Sequence, residues 1–215
     1  MKKRKATAIA SSKYSAAGMD YQPGSRGRVL CNKLGITSIR AMNDREIVEY
    51  AHAVSSLSEH YSFDHSFTDT DICFIHKTIF HTLYKWAGEY RNVELSKDGF
   101  VFARAKFIPQ LMKDFSSSIL KRNTPPVNRS LSQLSLLLAK IHVEFILIHP
   151  FREGNGRTIR LLLTLIAQQA QYAGIDFGFI KEKGKEYKDY IGAIQNGMQG
   201  NYNPMKEIIE RALSR

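Results

Sequence analysis

The chain has 215 residues, of which 43% are hydrophobic, and a net charge of +11. This length and apolar content suit one folded domain with an extension. Two cysteines, Cys31 and Cys73, without a CxxC pairing indicate neither a disulfide framework nor a zinc site. The apolar run near the N-terminus is too short for the hydrophobic region of a signal peptide, so the sequence predicts a cytoplasmic protein.

The positive charge is concentrated at the N-terminus. Residues 1–28 hold seven basic residues and one acidic residue, which accounts for +6 of the total. The basic residues are Lys2, Lys3, Arg4, Lys5, Lys13, Arg26 and Arg28. Because no aromatic stacking series or nucleic-acid module accompanies them, we interpret them as a solvated arm rather than a nucleic-acid contact. We therefore predict a basic, partly mobile extension over residues 1–42 and one domain over residues 43–215.

Capping residues predict the first two helices. Asn43 or Asp44 can cap a helix that runs through Leu57, and Thr68 or Asp69 can cap the next one. Further along, two β-prone runs flank an Asp-Gly pair, which is a strong hairpin-turn signal. The predicted strands are Val93–Leu95 and Phe100–Phe102, and the turn is Ser96-Lys97-Asp98-Gly99.

The second half of the chain reads as helical. Pro125 and Pro126 break the chain before Leu131–Ile148, which carries a buried helical stripe. The stripe consists of Leu134, Leu137, Leu138, Ile141, Phe145 and Ile148. Lys140, His142 and Glu144 interrupt the apolar run, so we predict a core helix and no membrane span. The spacing predicts further helices over Thr158–Ala173, Tyr187–Asn196 and Pro204–Ser214.

The stretch from His149 to Arg160 reads HPFREGNGRTIR and carries the most chemistry in the chain. Gly154 and Gly156 can adopt positive φ angles, so the backbone amides of Gly154-Asn155-Gly156 can curl toward one anion. A helix follows at once, and the N-terminus of a helix favours a phosphate. The sequence therefore predicts a phosphate cradle here.

The charged residues of this stretch extend the prediction. Arg157 and Arg160 are neighbours on one helical turn, and both guanidinium groups suit phosphate oxygens. Glu153 can bind a divalent cation, since Mg²⁺ commonly takes only one or two protein carboxylates. Pro150 disfavours an α conformation at His149, so the preceding helix should end there and present a general base. Phe151 is interpreted as a buried anchor of the loop.

Each residue also has a simpler interpretation. A histidine before proline is commonly just the end of a helix, and Gly-x-Gly is most often a turn. Two arginines can form a solvated face, and Glu153 can pair with Arg157. The order of base, carboxylate, flexible loop and arginine-bearing helix favours the phosphate site.

The stretch resembles the signature of the Fic family, and every defined position of that signature is present. These positions are His149, Pro150, Phe151, Glu153, Gly154, Asn155, Gly156, Arg157 and Arg160. The segment Trp86-Ala87-Gly88-Glu89-Tyr90-Arg91 is similar to the family's WAGEYR segment, and residues 93–102 are similar to its β-hairpin flap. The resemblance implies a mainly α Fic fold, a helical bundle around a central motif-bearing helix pair with a small flap.

The resemblance also implies an activity, the transfer of AMP from ATP to a Tyr, Thr or Ser hydroxyl of a target protein. His149 would be the general base, Glu153 would bind Mg²⁺ or Mn²⁺, and residues 154–157 with Arg160 would hold the phosphates. The adenine would lie near Tyr187 and Tyr190. The target would dock on the flap, through Val93, Glu94, Leu95, Gly99, Phe100, Val101 and Phe102.

Two alternatives stay open, a non-catalytic nucleotide-responsive binding protein and a Doc-like phosphotransferase. Many relatives carry an inhibitory helix, but Ser55-Ser56-Leu57-Ser58-Glu59 continues with His60 and fits that motif poorly. Restraint would then come from a separate antitoxin chain, from homo-oligomerisation, or from nothing in this sequence.

Overall fold

The computed structural model describes residues 20–97, 100–181 and 184–214, and within them helices dominate. The first half contains α1 (Ile39–His60), α2 (Asp69–Phe80), α3 (Ile108–Phe115) and α4 (Lys121–Asn123). The second half contains α5 (Leu131–Ile148), α6 (Asn155–Gln169), α7 (Lys185–Gly197) and α8 (Asn203–Ala212). Two small sheets pair β1 (Ser96–Lys97) with β2 (Phe100–Val101), and β3 (Gly174–Ile175) with β4 (Leu213–Ser214).

Helix α5 is the centre of the molecule. It has the bounds predicted from the sequence, and all six residues of the predicted stripe are buried. Ser130 begins it with a capping box to Gln133. Helices α3, α6, α7 and α8 pack around it. The helix is long and apolar enough to cross a membrane, but 61% of it is buried inside the protein, as in a core helix.

Helix α6 begins three residues earlier than predicted. We expected Gly154-Asn155-Gly156 to form a loop before Thr158, but Gly154 is the N-cap and Asn155 already starts the helix. The backbone of Gly154 has φ +82° and its carbonyl accepts the first helical bond, from Thr158 N–H. Of the two motif glycines only Gly154 has a positive φ angle, and Gly156 lies inside the first helical turn.

The N-terminal prediction needs a correction. Helix α1 begins at Ile39 with Ser38 as its cap, so the predicted caps Asn43 and Asp44 lie within the helix. Before it, Tyr21 pairs with Leu30 and Val29 is buried, so this part of the extension packs on the core. The basic residues from Lys2 to Lys13 lie outside the described residues. The second predicted cap is confirmed, because Thr68 caps α2 with a capping box to Asp71.

The flap hairpin is present but displaced along the chain. Ser96 pairs with Val101 and Lys97 with Phe100, so two residues predicted for the turn belong to the first strand. The Phe102 N–H donates to the Leu95 carbonyl at 3.1 Å and extends the pairing by one bond. The predicted Asp98-Gly99 turn lies outside the described residues. Leu95 and Phe102 form a small buried cluster of their own beneath the flap.

Two strands at the other end were not predicted. β3 pairs antiparallel with β4, in the register Gly174 with Ser214 and Ile175 with Leu213. As a result, α8 ends at Ala212 rather than Ser214, while α7 begins two residues before the predicted Tyr187. The short sheet joins the segment after α6 to the end of α8, beside the cleft described below.

Candidate active site

His149 lies at the junction between α5 and α6. It is the C-cap of α5 in a left-handed conformation, with φ +53° and ψ +60°, and its N–H still donates to the Phe145 carbonyl. The following Pro150 excludes a further helical turn, which is why the helix ends here. The chain then turns sharply and enters the loop that leads into α6.

Ile146 and Phe102 are among the neighbours that contact the imidazole of His149. Its Nδ1 lies 3.3 Å from the Ile146 carbonyl oxygen, which can only accept, so this contact places the proton on Nδ1 and the lone pair on Nε2. The ring stacks on Phe102 of the flap segment, with centroids 3.8 Å apart and planes at 19°. Only 5% of His149 is exposed, and the flap segment forms part of the wall around its imidazole.

The loop is fixed by aromatic packing and by one amide. Phe151 is fully buried and stacks on His76 with centroids 3.8 Å apart. The Asn155 side chain accepts from the Phe151 N–H at 2.9 Å and donates to the Phe151 carbonyl at 2.8 Å. Since both ends of this fully buried amide are used within the loop, the side chain of Asn155 holds the loop closed.

His76 is a site residue that the sequence analysis missed. Its Nδ1 accepts from the Gly88 N–H at 2.8 Å, so its Nε2 carries the proton and donates to the Glu153 carbonyl at 3.1 Å. This buried ring therefore joins the segment around Gly88 to the backbone of the loop at Glu153. The partners lie 12 and 77 residues away, so no local spacing could reveal the role.

Arg91 joins the flap to His149 and was also missed. Its guanidinium donates to the carbonyls of His149 at 2.8 Å, Val93 at 2.7 Å and Ala103 at 2.5 Å. Its backbone N–H donates to the Pro150 carbonyl. Because the side chain is only 2% exposed, these hydrogen bonds are shielded from water. They hold the chain on both sides of the flap hairpin against the end of α5.

Glu153 and Arg157 face each other across the start of α6. A carboxylate oxygen of Glu153 accepts from the Gly154 N–H at 2.9 Å and lies 3.6 Å from an Arg157 guanidinium nitrogen. Arg157 donates from its other terminal nitrogen to Glu46 of α1 at 2.7 Å and covers the Phe80 ring at 4.7 Å. The simpler interpretation, in which Glu153 pairs with Arg157, therefore has support from this contact.

Glu153 can bind a divalent cation only if the other ligands of the ion come from outside the protein. The residues that the structure describes contain no group of three or more His, Cys, Asp or Glu side chains able to hold a metal. Mg²⁺ commonly binds one or two carboxylates and takes its remaining ligands from phosphate and water. A single carboxylate beside the N-terminus of α6 matches that donor set, so Glu153 would hold the ion together with a nucleotide.

Arg160 lines a cleft of about 520 Å³, whereas His149 and Glu153 are not among its lining residues. Tyr187 and Tyr190 of α7, the two residues predicted to lie near an adenine, line it, and so does Lys97 of the flap. Its remaining walls are Tyr50, His142, Ile175, Asp176, Phe177, Gly178 and Ile180. Arg157 is not among the lining residues, so the two motif arginines point in different directions. A larger cleft of about 600 Å³ lies at the far end of α6 and contains no motif residue.

His142 is buried in the wall of this cleft. Its Nε2 lies 2.9 Å from the Tyr190 hydroxyl, and burial lowers its pKa to about 3. Burial likewise raises the pKa of Tyr190 to about 12 and lowers that of His76 to about 3. Both histidines are therefore neutral in the folded protein across the physiological range.

These two histidines should make the protein less stable in mild acid. In the unfolded chain each binds a proton near pH 6.5, whereas in the folded chain each does so only near pH 3. Between those values the unfolded state holds more protons, so stability is lost as the pH falls below 6.5. We expect a loss of about 1 kcal/mol per histidine between roughly pH 7 and pH 5.5, measured by urea denaturation.

A variant pair checks the assignment. His142→Gln should remove about 1 kcal/mol of this pH-dependent loss, whereas His52→Gln, at an exposed position of α1, should leave it as in the wild type. An unchanged pH dependence in His142→Gln would mean that burial does not lower the pKa of His142 in the folded protein.

Comparison with known proteins shows which sequences and structures the chain is similar to. Residues 66–167 match the sequence model of the Fic/DOC family. The chain is 29% identical over 212 residues to the protein adenylyltransferase VbhT of Bartonella schoenbuchensis, covering 94% of this chain and 40% of that protein. It is 26% identical to the probable protein adenylyltransferase Fic of Salmonella typhimurium, over 66% of this chain and 68% of the relative. The chain thus spans well under half the length of VbhT.

Solved structures share the fold. The BepC protein of Bartonella tribocorum, determined with bound AMPPNP, superposes with a TM-score of 0.73 at 23% identity, over 92% of this chain and 98% of that one. At this identity the likeness shows the fold alone, and it confirms the predicted mainly α Fic fold. Together with the match to the family model, it identifies residues 66–167 as a Fic domain.

Proposed function

We propose that the chain is a protein adenylyltransferase, which transfers AMP from ATP to a Tyr, Thr or Ser hydroxyl of a target protein and releases pyrophosphate. One observation carries the proposal. The motif that supplies His149 and Glu153 continues into a helix whose Arg160 opens onto the same cleft as Tyr187 and Tyr190. The names of the relatives as adenylyltransferases support the same reaction.

The residues have distinct roles in this reaction. Nε2 of His149 takes the proton of the hydroxyl, whose oxygen forms a bond to the α-phosphorus. The bond between the α-phosphorus and its bridging oxygen to the β-phosphate breaks, and both electrons leave with pyrophosphate. The first amides of α6 have no carbonyl partners within the helix, and those of the half-buried Gly156 and Arg157 would face the anion at its positive end. Arg160 adds a positive charge that faces the phosphates from the side of the cleft.

Glu153 would hold Mg²⁺ or Mn²⁺ with the phosphates, and the ion would neutralise charge that develops on the leaving pyrophosphate. The adenine would rest against Tyr187 and Tyr190. Transfer of a phosphoryl-type group depends mainly on positioning and on charge stabilisation, so these few groups can supply much of the rate.

The flap would receive the target. We infer that an extended target segment adds to the hairpin through main-chain hydrogen bonds, as in other strand additions. Val101 is 67% exposed on the outer strand, while Leu95 and Phe102 anchor the hairpin beneath. Arg91 fixes both legs of the hairpin relative to His149, which would keep a docked hydroxyl within reach of the base.

The proposal also includes the compartment in which the protein acts and the way in which its activity is restrained. Cys31 and Cys73 are free, which suits a reducing compartment such as the cytoplasm. A separate antitoxin chain or self-association would restrain the activity, since the segment ending at Glu59 is simply the last turn of α1.

Isotope position distinguishes the possible reactions. The protein is incubated with a cell lysate and Mg²⁺, with ATP labelled either on the α-phosphate or on the γ-phosphate, and modified proteins are identified by mass spectrometry. We expect label from the α-position alone and an added AMP on a hydroxyl side chain. Label from the γ-position alone would indicate phosphotransfer. Tight ATP binding in calorimetry with no label from either position would indicate a nucleotide-responsive binding protein.

A further inference from the structure

A carboxylate from outside the matched family segment enters the motif. Glu46 lies on α1, twenty residues before the segment begins at residue 66, and is only 7% exposed. One of its oxygens accepts from Arg157 at 2.7 Å, and the other accepts from the Tyr84 hydroxyl at 2.8 Å. Tyr84 is itself held by stacking on Trp86, with centroids 4.4 Å apart. Both oxygens of Glu46 are therefore engaged with rigid partners.

Arg157 is the middle member of this network. Its two terminal nitrogens face different carboxylates, Glu46 at 2.7 Å and Glu153 at 3.6 Å. Burial alone lowers the pKa of Arg157, but Glu46 and Glu153 offset this effect and the pKa is raised above its ordinary value. The Phe80 ring closes one face of the guanidinium. A planar, always charged group held on two edges and one face has little freedom to turn toward the cleft.

We propose that Glu46 is a positioning residue, which fixes Arg157 so that its second edge orients the Glu153 carboxylate for a metal-bound triphosphate. The inference rests on the proposed function. The two motif arginines then have different roles. Arg160 faces the nucleotide cleft, whereas Arg157 orients the carboxylate that would bind the metal. Partners of metal-binding side chains commonly act in this way, and losing one lowers metal affinity.

The opposite role for Glu46 makes a different prediction. If Glu46 held Arg157 away from the phosphates, removing its charge would release the guanidinium and strengthen nucleotide binding. The sign of the change in affinity therefore decides between positioning and restraint. Glu49 provides a matched control, because it lies on the same helix, is 6% exposed and pairs with Arg45 rather than with the motif.

The test measures binding rather than transfer. Affinity for Mn²⁺ is measured by electron paramagnetic resonance in the presence of AMPPNP, and affinity for AMPPNP alone is measured by calorimetry with EDTA. In Glu46→Gln we expect Mn²⁺ affinity to fall about 10–100-fold, while metal-free AMPPNP affinity stays within about threefold. Tyr84→Phe, which removes the hydroxyl that holds Glu46, should lower Mn²⁺ affinity less and in the same direction. Glu49→Gln should change neither affinity.

The outcomes separate this inference from the proposed function. Wild-type Mn²⁺ affinity in a folded Glu46→Gln protein, or tighter AMPPNP binding by that variant, would overturn the positioning role. A wild-type protein that binds no Mn²⁺ with AMPPNP would overturn both proposals. If Mn²⁺ affinity falls in Glu46→Gln but the wild type transfers no AMP, only the proposed function fails.

Discussion

Replacing His149 should abolish AMP transfer while leaving the nucleotide site intact. General base catalysis contributes about 10²–10⁴-fold to the rate, and we expect His149→Ala to lose that factor in labelling from ATP tagged on the α-phosphate. Binding of ATP, measured by calorimetry, should change little. The reason is that in the proposed function the phosphates would be held by the amides of α6 and by Arg160, whereas His149 would act only on the incoming hydroxyl.

The backbone at His149 requires a second variant. Its φ of +53° is a conformation that alanine adopts with strain and that asparagine tolerates more readily. His149→Asn should therefore retain more thermal stability than His149→Ala while losing the same transfer activity, since an amide cannot take the proton. His52→Ala, at an exposed position of α1, is the control that should retain full activity. Substantial transfer by His149→Asn would assign the base to another residue.

The sequence predicted those parts of the site that depend on neighbouring residues. The bounds of α5 followed from its apolar spacing, from Pro125 and Pro126 before it and from Pro150 after it, so the position of His149 followed as well. The hairpin was located because the Asp-Gly pair marks a turn, but its register was not, since two-residue strands carry too little alternation to fix it.

The start of α1 shows why a capping residue alone is ambiguous. Ser38 and Asn43 are both good N-caps, and the choice between them depends on which start buries Met42 against the core. That information comes from packing with other elements, which local spacing does not contain. The start of α6 was misplaced for a related reason, because a glycine pair fits a loop as well as it fits an N-cap followed by a helical turn.

The supporting residues of the site could not be predicted in the same way. Glu46, His76 and Arg91 each act on the motif from between 58 and 111 residues away. Glu46 and His76 are common residue types in unremarkable local patterns, and Arg91 lies in a segment noted only for its similarity to the family. Only the fold brings them to the motif, where they hold the backbone and the charged groups that the signature residues present.

Gly154→Ala should be among the most destabilising substitutions in the chain. The position has φ +82°, which costs a residue with a Cβ about 1–2 kcal/mol. A Cβ there would also lie 2.2 Å from Cε2 and 2.4 Å from Cζ of Phe80, whose ring is fully buried and cannot turn aside freely. Overpacking of this kind costs about 1–3 kcal/mol, so the free energy of unfolding should fall by roughly 2–5 kcal/mol in urea denaturation.

The neighbouring Gly156 provides the contrast, because it belongs to the same motif but lies within α6. A Cβ at Gly156 would meet only the flexible end of Arg160, at 3.2 Å, and alanine favours a helix over glycine by about 1 kcal/mol. Gly156→Ala should therefore be as stable as the wild type or more so. In the double variant Phe80→Leu/Gly154→Ala, the smaller side chain relieves the clash, so the loss should be less than the sum of the single losses. If Gly154→Ala and Gly156→Ala unfold at the same urea concentration, the contact between Phe80 and the loop does not explain the glycine at position 154.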